Sequence, residues 1–235
     1  AFSLSCLKIR VLRSCQLRRC GIEISFYENQ AQDHRVKPAI ALSLLAAGLA
    51  ATSPSGAAAE WQPVEKVQTY SVPGATGAEL YASIGARGPK LSIGTRAIAQ
   101  TSFALTWSRK YENRGDACVL ATAKPKLIIT YVLPKPANGL PAPVKENWER
   151  FISGVRDHER VHGDYIVEMV KQIEAATVGL TVPADPNCRK IREEMTRRLG
   201  ALPQEQRQRS RDFDRVELSP GGNVHTLILQ LVNGG

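Results

Sequence analysis

From Val144 to about Thr177 apolar residues recur every three to four positions, the spacing of a long amphipathic helix. With Trp148 set at 0° and about 100° per residue, Phe151, Val155, Ile166 and Ile173 fall within about 60° of it. Arg156, Asp157, Arg160 and Glu168 fall on the far side. Upstream the period shortens to two. "AIAQTSFALTWSRKYE" (97–112) and "CVLATAKPKLIITYVLP" (118–134) alternate with β-formers, which predicts two strands. A turn at Asn113-Arg114-Gly115-Asp116 joins them, and a break is expected near Lys124-Pro125. Val67, Thr69 and Ser71 predict an earlier strand that turns at Pro73-Gly74.

Thr76 and Glu79 stand three apart before an apolar pattern, a capping box that predicts a short helix over about 77–86, stopped by Gly88-Pro89. Pro134 to Pro143 reads as a linker. Helices are expected over about 186–199 and from Pro203 to about 216, where "SPGG" ends the pattern. "NVHTLILQLV" (223–232) fits a strand or a short helix. The fold class is α+β: a small antiparallel sheet with one short helix, then a long helix and a helical C-terminal half.

The leading 59 residues stand apart. Basic Arg35 and Lys37 precede an apolar run from Ala39 to Ala51, and small residues end in Ala57-Ala58-Ala59. That order is a secretory signal peptide with cleavage after Ala59. The run is too short to span a bilayer as a permanent helix, so no stable membrane span is expected after cleavage, and the product is expected in the periplasm or outside the cell. Residues 1–35 lack an initiating Met and do not suit a signal peptide. They are expected to be upstream sequence read from a mis-assigned start, with Val36 the first residue. Residues 60–235 then form a single domain.

This division changes the charge and cysteine arguments. Residues 60–235 carry 24 Lys and Arg against 19 Asp and Glu. Much of that modest excess lies in "RQRSRDFDR" (207–215), where acids interleave. A solvated helix face explains it, and no nucleic-acid partner is expected. Of five cysteines only Cys118 and Cys188 follow Ala59. A pair in an exported chain predicts a disulfide.

Candidate chemistry lies on the long helix. "RDHERVHGDY" (156–165) contains H-E-x-x-H in a chain with four histidines. Glu159 falls at about 20°, inside the apolar arc, with His162 near −40° and His158 near −80°. Buried polar groups need partners. A metal ion supplies one for both imidazoles, since residues at i and i+4 stand one turn apart on one face. Zinc suits such nitrogen ligands, and Glu159 beside it is placed to act as general base on a water. The other reading is a pair of satisfied core histidines with Glu159 bonded to one of them.

A catalytic zinc has three protein ligands. Asp164 and Glu168 face away, which leaves His225 as the favoured third ligand and Asp214, Glu217, Glu193 and Glu194 as carboxylate options. Tyr165 reads as a boundary aromatic. The pattern predicts an exported zinc-dependent hydrolase, a metallopeptidase acting on a peptide or protein substrate. The rival is a non-catalytic envelope-binding or structural module whose metal is structural or absent.

Several stretches also carry a family resemblance. They are "YSVPGATGAEL" (70–80), "GARGP" (85–89), the Trp107 strand, "GDAC" ending in Cys118, "ITYVLP" (129–134), "NWERFISGVRDHERVHGDY" (147–165) and Cys188. Together they resemble a bacterial family of unknown function whose members are described as predicted secreted zinc-dependent proteases. The resemblance covers most of residues 66–200. It implies export, paired cysteines, an α+β fold and a zinc site at the H-E-x-x-H. Members often carry Tyr-Asp followed by His-Gly near the C-terminus. Here Phe213-Asp214 and Ser219-Pro220 hold those places.

Overall fold

A computed structural model describes residues 2–9, 61–92 and 95–234, with residues 2–9 and 92 described by backbone alone. The expected signal peptide lies outside the described residues. In chain order the elements are β1 (Phe2–Ile9), β2 (Val64–Val72), α1 (Gly77–Arg87), β3 (Lys90–Ser92), β4 (Thr95–Arg114), β5 (Ala117–Pro136), α2 (Ala142–Thr177), β6 (Thr181–Val182), α3 (Lys190–Leu199), α4 (Leu202–Leu218) and α5 (Asn223–Asn233). The fold is α+β, as the pattern of periods implies.

β4 and β5 form a long antiparallel hairpin closed by a two-residue turn in which Gly115 has φ 68°, a conformation that suits glycine. The sheet order is β1-β4-β5-β2, with β3 pairing with β4 and β6 with β5. Two features depart from expectation. β2 joins β5 in parallel, Val64 opposite Ile128 and Val72 opposite Pro136, so the sheet is mixed. A parallel neighbour requires a crossover, and α1, β3 and β4 lie between the two strands in the chain.

The expected break at Lys124-Pro125 is also absent. Pro125 pairs with Trp107 inside the continuous strand β5. It tolerates the position because β5 pairs with β6 only at Cys118 and Val119, and with β2 only from Ile128 onward. Between them one side of β5 has no strand partner among the described residues, so the N–H that proline lacks need not be missed. For the same reason the expected linker starts later, since β5 runs through Pro134 to Pro136.

The capping box of α1 is complete: Thr76 Oγ1 accepts from the Glu79 N–H, the Glu79 carboxylate accepts from the Thr76 N–H, and Gly88 caps the C-terminus. The closing apolar segment is the helix α5, not a strand. Residues 2–9, assigned above to the leader, form β1 antiparallel to β4.

α2 positions the site. Its buried side includes Trp148, Phe151, Val155, Ile166, Met169 and Val170, and it lies between the sheet and α4 and α5. The main core joins these residues to Leu80, Ile84, Ile98, Leu127, Ile129 and Leu133. A second, smaller cluster of Leu120, Ala123, Ile191 and Met195 lies around the disulfide Cys118–Cys188. Among the described residues no helix is long and apolar enough to cross a membrane.

Candidate metal centre

His158 and His162 project from α2 toward α4, while Glu159 projects toward β4. All three side chains are buried. The imidazoles present their Nε2 atoms to each other at 3.1 Å. Asp214, on α4 and 14% exposed, brings Oδ1 to 3.2 Å from His158 Nε2 and 2.9 Å from His162 Nε2. Among the described residues these three side chains form the group able to hold one ion.

The donor set fits a metal. When each imidazole carries its proton on Nδ1, both Nε2 lone pairs and Asp214 Oδ1 face one point, an arrangement that a cation satisfies. Ligand atoms ~2.1 Å from a tetrahedral ion stand ~3.4 Å apart, a few tenths of an ångström beyond the 2.9 to 3.2 Å seen here. Two imidazoles and a carboxylate suit zinc and other first-row divalent ions. Glu217 adds negative charge, its Oε2 lying 3.6 Å from His158 Nδ1, on the ring atom that a metal bound at Nε2 leaves free. The Nδ1 atoms of both histidines are buried without a hydrogen bond among the described residues.

α4 meets this group with two stripes of its own. Gln206, Ser210 and Asp214 recur every four residues, and the first two are buried. Arg209, Phe213 and Glu217 form the neighbouring stripe. Phe213 stacks on the His158 ring, with centroids 4.7 Å apart and planes 21° apart. It also meets His162 and Tyr165 edge-on. Arg209 lies over the Tyr165 ring and pairs with Glu168. These contacts hold α4 against α2 and so hold Asp214 over the histidines.

Glu159 is the buried acid of the site. Thr101, also buried, places Oγ1 2.5 Å from Glu159 Oε2 and 3.1 Å from its backbone carbonyl. The hydroxyl has one proton: it donates it either to the carboxylate or, when the acid is protonated and donates to it, to the carbonyl. Oε1 has no partner among the described residues. Burial raises the Glu159 pKa above the ordinary range, opposed by His162, the Thr101 hydroxyl and His158, while Asp214 adds to the rise. Burial would raise Asp214 too, but the hydrogen bonds to His158 and His162 win and hold its carboxyl below the usual aspartate range.

The histidine pair of the sequence motif thus meets at one point, which Asp214, weighed above as a carboxylate option, closes, while Glu159 lies beside them on the side toward β4. His225 does not belong to the group. It lies half-buried on α5, and nothing in residue type or spacing could tell that α4, not α5, packs over the motif. Glu193 and Glu194 lie on α3, the latter bound by Arg197 and Arg198. Tyr165 is the boundary aromatic expected. Thr101 escaped the sequence reading altogether, since one threonine in a β-rich stretch carries no signal of its own. Asp214 had one: a polar stripe at four-residue spacing, masked by the arginines around it.

Residues 67–222 match a family described as bacterial protein of unknown function (DUF922). The chain belongs to this family. Its match spans both the H-E-x-x-H of α2 and the Asp214 of α4, so the whole three-ligand group falls within the DUF922 region. No curated protein and no solved structure matches the chain.

Proposed function

We propose that this DUF922 protein is an exported zinc-dependent hydrolase, a metallopeptidase that cleaves peptide bonds. The observation that carries the reading is the convergence of His158 Nε2, His162 Nε2 and Asp214 Oδ1 within 3.2 Å, with the buried acid Glu159 on the same turn of helix. A bound zinc supplies Lewis acidity, polarising a carbonyl and acidifying a water. Glu159 takes the proton from the attacking water on Oε1 and returns it to the leaving amine nitrogen. Burial holds its pKa above the ordinary range, which favours keeping the proton until the leaving amine takes it. Thr101 holds Oε2 and so fixes which oxygen faces the reaction. The charge-then-apolar leader ending at Ala59 and the disulfide support export.

One observation favours the rival, a non-catalytic envelope module: Glu159 is already engaged by Thr101. The two readings separate by experiment. Residues 60–235, purified without a metal-binding tag, are expected to hold one zinc per chain by mass spectrometry, lost in His162→Ala. Glu159→Gln keeps the zinc but loses on the order of 10²–10⁴-fold in hydrolysis of peptide substrates. Zinc retained with no hydrolysis by the unaltered protein would select the module.

A further inference from the structure

Resting on that reading, we infer that the strip between β4 and α4 is a peptide-binding cleft, which takes an extended chain antiparallel to β4 and selects a large apolar side chain upstream of the bond that is cut. Between Ala97 and Phe103 the side of β4 away from β5 is paired with β1. β1 lies against α4 as well as β4, so it runs between Thr101, which holds Glu159, and the helix that carries Asp214. Residues 2–9 therefore trace the path of a substrate strand, added to a sheet edge by backbone hydrogen bonds. Their ladder is regular at Phe2–Ser3 and opens between Ser3 and Cys6, opposite Thr101. A chain in unbroken register would bring a peptide bond to that position.

The selective element lies further along the same strand. Phe103 and Leu105 share the sheet face of Thr101, since side chains alternate. With Met169 and Ile173 of α2 and Pro203 of α4 they line an apolar cavity of about 650 Å³. Phe2 stands opposite Phe103, so the cavity opens just past the N-terminal end of β1. A substrate continued in that direction places residues about two to five positions before the one facing Thr101 over the cavity. An apolar side chain there is removed from water, and a polar one loses its hydration unpaid.

The test uses residues 60–235, which carry every described residue of both core clusters and whose folding is checked by a cooperative urea transition, loaded with zinc and given a library of proteome-derived peptides. Cleavages that Glu159→Gln abolishes are mapped by mass spectrometry. Leu, Ile, Met or Phe should be enriched on the order of tenfold at one position two to five residues before the cut bond. Leu105→Arg should erase that preference, and Leu105→Ala should shift it toward bulkier side chains. The peptide FSLSCLKI, residues 2–9, should slow cleavage competitively. Zinc retention checks the fold of each variant, and Leu105→Ala decides if Leu105→Arg fails to fold. Glu159-dependent cleavage with no upstream preference, or a preference that Leu105→Ala leaves in place, overturns the cleft and leaves the hydrolase standing. Zinc bound with no Glu159-dependent cleavage removes both.

Discussion

Thr101 and Glu159 lie 58 positions apart and meet at 2.5 Å in the interior. The hydroxyl stabilises the carboxylate, against the burial that disfavours it. Thr101→Val, close in shape, removes that support. Its loss should cost about 1–3 kcal/mol of stability, the penalty of a buried polar group left unpaired. It should also raise the Glu159 pKa further, because the bond it removes favours the charged form. The acid limb of the kcat/KM profile is therefore expected to move to higher pH, while zinc content stays at one per chain. A limb that stays in place or moves to lower pH would show that Thr101 does not tune the base.

At the scale of elements, the disulfide carries a definite expectation. Cys118 and Cys188 lie 70 positions apart and join β5 to the start of α3. Replacing both with Ala should cost roughly 4 kcal/mol on the chain-entropy account, read as a lower urea midpoint. A loss under about 1 kcal/mol would mean that the unfolded chain is already constrained there. Elements also show what a sequence can reveal. The capping box of Thr76 and Glu79, the stop at Gly88 and the 36-residue α2 were legible because each is set by contacts within a few residues. Pro125 was misleading, since its tolerance depends on where β2 and β6 stop along β5. The parallel pairing of β2 and the choice of Asp214 over His225 are likewise decided between distant segments. The motif on α2 was legible as a candidate site; Asp214 stood among the carboxylate options, but its placement over the motif in preference to His225 was not legible.

The whole molecule assembles its candidate metal group from α2 and α4, so the ion, once bound, adds a further tie between two helices far apart in the chain. Ligand held by the folded state alone adds stability by mass action, ~2.7 kcal/mol at a hundred times Kd. For a domain of this size that corresponds to ~5–10 °C in Tm. A chelator should therefore lower the melting temperature of the zinc-loaded protein by about that much and leave His162→Ala unmoved. Equal shifts in both would place the metal elsewhere.

Gly163 follows the second histidine and packs where a Cβ would fall on the Tyr131 hydroxyl, which itself donates to Glu65. α2 thus rests on the sheet like a bar bolted down with no washer beneath it. A single methyl group is a washer. Alanine at this place would press on the Tyr131 ring, so either the ring gives up its bond to Glu65 or the turn that carries His162 shifts, while every letter of H-E-x-x-H remained intact. In a chain where that glycine has become something larger, the seat should have been recut as well, with a smaller residue in place of Tyr131.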